Sequence, residues 1–284
     1  MSNSVLFKSS IGKKVFMALT GLFLCTFLVG HLAGNLQLIL KTGEEGRRAF
    51  NEYAYFMGHN LFIKILSYVT YASILIHVID GIALTIQNRK ARPVRYAYSK
   101  PGANSSSASR SMAILGTLIL VFLATHMANF WWQMKVKEAV PLHTYKLEMD
   151  NPMMGAANAE LYYTHVPGIQ PIPKDGKNII EKGTDLYIKG TNVKVAEGYR
   201  DLHTLVMDFF SKSKNDGALF AVLFYLISMI VLAYHLLHGF QSAFQSLGIN
   251  HPKYTPLIKI IGTAFAVVVP FLFAIIPVII YMNH

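Results

Sequence analysis

KVFMALTGLFLCTFLVGHLAGNLQLIL, residues 14–40, carries no acid and no strong base after its first lysine. About 20 such residues suffice to cross the hydrocarbon core of a bilayer, so the stretch reads as a membrane-spanning helix. It starts too far in, runs too long and lacks a small-residue cleavage site, which argues for a retained helix over a signal peptide. Within it sits His31. An imidazole is costly in hydrocarbon unless something compensates it, so an ionisable residue at this depth marks a functional site with a partner to be found.

Four further stretches have the same character, at 62–88, 111–134, 217–247 and 257–281, and three of them contribute His77, His126 and His235. The whole chain agrees with this reading. Of its 284 residues 53% are hydrophobic and 14% charged, against about 25% charged in a soluble domain. The expected fold is an all-α integral membrane protein, a bundle of five transmembrane helices. A net charge of +11 is compatible with nucleic-acid binding, but the basic residues flank the apolar stretches and do not form a basic face with interleaved aromatics. Cys25 is the single cysteine, which excludes an internal disulfide, a CxxCH haem attachment and a cysteine-ligated cluster.

Short flanks rich in lysine and arginine favour the cytoplasm. Lys8, Lys13 and Lys14 precede the first span. Arg89, Lys90, Arg92, Arg95, Lys100 and Arg110 lie between the second and third, and Lys253 lies between the fourth and fifth. The first-to-second connection offers Lys41, Arg47, Arg48 and Lys64, partly offset by Glu44, Glu45 and Glu52. The N-terminus is therefore expected inside and the C-terminus outside. At a rise of about 1.5 Å per residue, His31 and His126 lie about 22–26 Å from the inner ends of their helices, in the outer half of the core. His77 lies about 22 Å and His235 about 27 Å from the outer ends, in the inner half. The expected pairs are His31 with His126 and His77 with His235, at levels roughly 15 Å apart. Two ligands at each of two depths is the layout for two bis-histidine haems, held without covalent attachment.

Small residues beside the histidines fit a flat cofactor lying on the helices: Gly30 and Gly34 flank His31, while Gly81 and Gly239 follow His77 and His235 by four. Small residues also serve helix–helix approach in membranes. His238, three residues after His235, faces a similar direction and is the alternative ligand or a neighbour of the bound group. His235 is preferred because HVIDG and HLLHG share the same His-to-Gly spacing.

The connection at 135–216 is expected on the outer face. Pro141, Pro152, Pro167, Pro171 and Pro173 punctuate it, and the runs Asp185 to Ile188 and Thr191 to Val195 look like short strands. Tyr199 to Phe210 places Leu202, Leu205, Val206, Phe209 and Phe210 near helical spacing with Asp201 and Asp208 opposite. That pattern predicts an amphipathic helix, lying on the membrane surface or packed inside a cap.

The segments SSIGKKVFMALTGLFLCTFLVGHLAGNLQ (9–37), HVIDG in the second span and YHLLHGFQSAFQSLGINH (234–251) together resemble the cytochrome b membrane anchor of succinate dehydrogenase and fumarate reductase, in its single-chain, five-helix, two-haem type. The likeness covers all the spans; the 135–216 segment exceeds what the compact members carry. The resemblance implies a bacterial cytoplasmic-membrane complex of three proteins in the respiratory chain and the tricarboxylic acid cycle. A flavoprotein and an iron–sulfur protein would sit on the cytoplasmic face, anchored by this chain. It also implies two haem b groups, with His31, His77, His126 and His235 as iron ligands, and exchange of electrons with menaquinone or another quinone. Higher oligomers of the complex are compatible with this. The chain itself has no GxGxxG after a strand and no cysteine set, so succinate and FAD belong to the partners.

Candidates for hydrogen bonding a quinone near the outer pair are Asn35, Gln37, Asn51, Glu52, Tyr53, His59 and Asn60; Asp80 lies beside the inner pair. Arg89, Arg92, Arg110 and Ser111 at the inner level, with Lys41, Trp131, Trp132 and Gln133 at the outer, are placed to meet haem propionates, although topology and the interfacial aromatic belt also account for them. The fourth span has no Asp or Glu, so the proton-returning glutamate of some two-haem relatives has no counterpart. Two other readings remain open from the sequence: a haem b subunit of a hydrogenase or formate dehydrogenase, and a haem-free transporter whose histidines relay protons.

Overall fold

The computed structural model describes residues 9–91, 93, 94, 98, 100–151, 155–165 and 172–284. Lys8, Arg92 and Arg95 of the charge count, and Pro152, Pro167 and Pro171, lie outside them. The helices are α1 (Ser10–Leu40), α2 (Gly43–His59), α3 (Leu61–Lys90), α4 (Met112–Lys135), α5 (Leu202–Phe210), α6 (Ala218–Ser246) and α7 (Thr255–Asn283). Single turns at Pro101–Asn104 and Ser107–Arg110 precede α4. Among the described residues, α1, α3, α4, α6 and α7 are the five helices long and apolar enough to cross a membrane. Their flanks bear large apolar side chains that stay open, such as Leu75 (61% exposed) and Ile227 (61%). In water a contiguous surface of this kind would associate; hydrocarbon makes it the stable outer face.

The chain divides into two compact units. The first comprises α1 as far as Leu36, Leu61–Thr125 and Phe210–His284. Its core joins Cys25 of α1, Leu236 of α6 and Ala266 of α7, with Leu28, Leu232, Phe240 and Phe265 packed around them. Close approach of α6 and α7 depends on Gly262, where an added Cβ would lie 2.6 Å from Cδ1 of Phe240. Gly262→Val is therefore expected to lower the unfolding midpoint of the chain in detergent, at a cost of about 1–3 kcal/mol from overpacking. A midpoint equal to wild type would show that the helices can separate there freely.

The second unit comprises Gln37–Asn60 and His126–Phe209. The sequence reading treats 41–61 as a polar connection; in the structure most of it is helix α2, a correction with a local cause. Gly43, at φ +65°, turns the chain out of α1, and the return is so tight that a Cβ on Gly46 would sit 2.4 Å from the Lys41 carbonyl oxygen. Glu44 and Glu45 then favour the new N-terminus, and Gly46, Phe50 and Asn51 form the buried face. The rest of the unit is built on two three-stranded antiparallel sheets. One orders β1 (Thr144–Asn151), β2 (Gly155–Tyr162) and β3 (Ile172–Pro173); the other orders β4 (Ile179–Lys182), β5 (Asp185–Ile188) and β6 (Lys194–Glu197). The expected strand at Asp185 to Ile188 is β5 itself, whereas the one expected from Thr191 starts only at Lys194, because Thr191 closes a turn on the Ile188 carbonyl. Leu142, Tyr162, Ile172, Leu186 and Ala196 make one core between the sheets.

A buried polar network ties α2 to this core. Asp201, 2% exposed, accepts hydrogen bonds from Arg47 Nη2 (2.5 Å), Arg47 Nε (3.0 Å), Asn51 Nδ2 (2.8 Å) and the Thr204 backbone N–H (3.2 Å). Asn51 also donates to His143 Nδ1 (3.2 Å) and accepts from the His203 backbone N–H (2.9 Å). Because Asn51 donates to its Nδ1, the fully buried His143 carries its proton on Nε2, which donates to Glu44 (2.6 Å). Asp201 is thus the N-terminal cap of α5, a correction to its expected place on an outward polar face; Asp208 is exposed as expected. The apolar side of α5 packs on protein: Val206 is buried, and Phe209 meets Phe130 edge-on at 5.1 Å.

Candidate functional site

In the first unit, α3 brings His77 and α6 brings His235 to a ring-centroid separation of 6.2 Å, with the ring planes at 66°. Both histidines are only partly exposed. Two imidazoles sharing one metal each hold it about 2.0 Å from a ring nitrogen, and a ring centre sits roughly 1.1 Å behind that nitrogen. A shared ion therefore sets the centroids about 6 Å apart, as found. Buried His235 Nδ1 has no hydrogen-bond partner. Leaving such a group unsatisfied costs about 1–3 kcal/mol, which a group bound between the rings would relieve.

Room around the rings comes from neighbouring helices. A Cβ on Gly21 of α1 would lie 3.3 Å from His77 Cε1, and one on Gly116 of α4 would lie 3.8 Å from His235 Cε1. Neither glycine is singled out by the sequence reading, which looks along each ligand's own helix. There, Gly239 opens onto space with nothing within 4 Å, as does Gly30 beside His31, while Gly81 faces the end of Met17 at 3.6 Å. Thr20, next to Gly21, places Oγ1 3.2 Å from His77 Nδ1. His238 lies three residues beyond His235 and is partly exposed, and Asp80 is partly buried three residues after His77.

Among the described residues no group of three or more His, Cys, Asp or Glu side chains is placed to hold a metal ion. A bare ion wants four or more protein donors or waters, whereas a porphyrin brings four nitrogens of its own and asks the protein for two axial ligands. Paired histidines without further donors fit the second case.

His31 belongs to the first unit. Its ring stacks on Phe27 at 5.3 Å, tilts against Phe273 at 5.6 Å, and has Asn35 Nδ2 3.4 Å from Nδ1. Asn35 also donates to the His31 carbonyl (2.8 Å). His126 belongs to the second unit and meets Phe130 edge-on at 5.4 Å. Immediately after it, α4 widens into a π-helical turn at Met127–Trp131. Such turns recur at functional sites, and MANFW gives no sequence sign of one.

The quinone candidates separate. Asn51 is 1% exposed with both amide atoms committed to Asp201, His143 and the His203 N–H, so it has nothing to offer a ligand, a correction to its expected role. Glu52 accepts the Tyr163 hydroxyl. His59 stacks on Tyr55 at 3.8 Å and donates from Nδ1 to the Tyr55 carbonyl (2.8 Å), and Asn60 closes α2 through its N–H on the Phe56 carbonyl (2.9 Å). His59 Nε2 is left facing Glu197 Oε1 at 3.7 Å. Comparison with known proteins finds no matching family model, no matching curated protein and no matching solved structure.

Proposed function

We propose that this chain is the dihaem cytochrome b membrane anchor of a succinate:quinone oxidoreductase, passing electrons between an iron–sulfur subunit and a quinone such as menaquinone. The observation that carries the reading is the pair His77 and His235, 6.2 Å apart on two apolar helices, with a buried ring nitrogen of His235 left without a partner. In this reading His77 and His235 would hold the inner haem, and His31 and His126 the outer one. The bound haems supply one-electron carriers; the chain supplies axial ligands, the low-dielectric surroundings that tune their potentials, and helices that keep water from the iron. Gly21 lets the backbone of α1 close on the His77 ring. His238, three residues beyond His235 on α6, would neighbour the inner haem. The flavoprotein and iron–sulfur subunits would dock on the cytoplasmic basic face that Lys13, Lys14, Arg89, Lys90 and Arg110 help form.

A tagged chain expressed with its natural partners tests the assignment. Flavin and iron–sulfur protein are expected to co-purify, and succinate is expected to reduce part of the haem. A haem spectrum that responds to neither succinate nor fumarate, with a different dehydrogenase in the preparation, assigns the chain to another respiratory enzyme.

A further inference from the structure

Thr20 of α1 is buried at 8% exposure, and its hydroxyl has three oxygen or nitrogen neighbours: the Phe16 carbonyl at 2.7 Å, the Met17 carbonyl at 3.2 Å and His77 Nδ1 at 3.2 Å. A threonine hydroxyl has one proton to give and lone pairs to receive. Carbonyl oxygens can only accept, so the proton goes to Phe16, one turn back along α1. What remains for His77 is a lone pair, and Nδ1 must be the donor; the Met17 carbonyl is a second acceptor for the same ring. That leaves Nε2 of His77 as the nitrogen with a free lone pair, the form in which an imidazole binds a metal. Gly21 presses on the same edge of the ring: a Cβ there would meet Cε1 at 3.3 Å and Nδ1 at 3.7 Å. The two adjacent residues fix the ring from one side, Gly21 by close approach and Thr20 by hydrogen bond.

We infer that Thr20 is a positioning residue of the His77 ligand, sharing the hold on its tautomer with the Met17 carbonyl and, through the Nδ1–H···Oγ1 bond, raising the electron richness of the nitrogen offered to the iron. This rests on the reading of His77 and His235 as a haem pair. A hydrogen bond that draws on the Nδ1 proton makes Nε2 a stronger donor and favours the oxidised iron. Removing the Thr20 acceptor and leaving only the Met17 carbonyl does the opposite in part, so the haem becomes easier to reduce.

Redox titration of the haem spectrum, on the assembled complex in its membrane, tests this with Thr20→Val and Thr20→Ser. Valine keeps the shape and loses the acceptor; serine keeps the acceptor. Thr20→Val is expected to retain both haems and to shift the ratio of reduced to oxidised inner haem at a fixed potential about threefold toward the reduced form. Thr20→Ser and the outer haem are expected to titrate as in wild type. An unchanged inner haem in Thr20→Val, or an equal shift in Thr20→Ser, overturns the positioning role. If Thr20→Val fails to assemble, Thr20→Ala takes its place, with the same shift of the inner haem expected and an unchanged inner haem overturning the role. The parent reading fails separately, through His77→Ala and His235→Ala complexes that keep every haem.

Discussion

His77→Ala and His235→Ala are each expected to leave the chain with one haem of the two proposed for the wild type, halving the b-type absorbance of the reduced protein. A bis-histidine iron loses an axial bond when either imidazole is cut back, and loss of a ligand costs at least the 10–100-fold that even a neighbouring hydrogen-bond partner is worth. The two substitutions are expected to remove the same haem, because the ring centres stand 6.2 Å apart, close enough to share one iron. Their double variant should thus look like either single one, a non-additivity that independent sites would not give. His238→Ala is expected to keep both haems. Loss of haem in His238→Ala but not in His235→Ala would reassign the fourth ligand to His238.

Asp201→Ala has the second largest expected effect, and it falls on the other unit. The change removes the cap of α5 and both hydrogen bonds from Arg47, whose side chain is 24% exposed and cannot turn fully to water. Breaking a buried pair by deleting one partner costs about 3–5 kcal/mol; Arg47 keeps its ion pair with Glu44 (3.2 Å) and its hydrogen bond to the Thr144 carbonyl (3.0 Å) and is partly exposed, which argues for the lower end. Faster proteolysis between 135 and 216 is the readout, with haem content unchanged. The same carboxylate predicts a pH dependence. Burial opposes its ionisation, but hydrogen bonds from Arg47, Asn51 and the Thr204 N–H, with the Arg47 charge, outweigh that and hold its pKa at about 2 against an ordinary 3.8. A folded pKa below the unfolded one contributes stability that is fully present above pH 4 and is lost as the pH falls toward 2, here about 2 kcal/mol. Asp201→Asn should flatten the acid limb of unfolding over that window.

The spans were legible because a bilayer demands about 20 apolar residues in a row, and that demand is written in composition alone. Helix α2 was not, since only Lys41 and Thr42 separate it from α1 and its buried face is just Gly46, Phe50 and Asn51. The β1–β2 hairpin was equally hidden: TYKLEMDN and GAANAELY hold few strand-favouring residues, and their pairing depends on neighbours more than on preference. Asn51 drew notice as a polar residue near a membrane edge, but its partners His143, Asp201 and His203 lie far along the chain, and no local pattern announces a contact across that separation. For the histidines, charge bias and helix rise sufficed to name His77 with His235 as neighbours. The glycine that accommodates the His77 ring, Gly21, was missed because it belongs to a helix other than its histidine's.

Counting haem in the purified wild-type chain tests the central claim most directly. Extraction into pyridine, with the iron content of the same sample, is expected to give two non-covalent b-type haems and two irons per chain. A chain purified from haem-replete cells that carries neither haem nor iron contradicts the account and leaves the four histidines to a proton-relaying role.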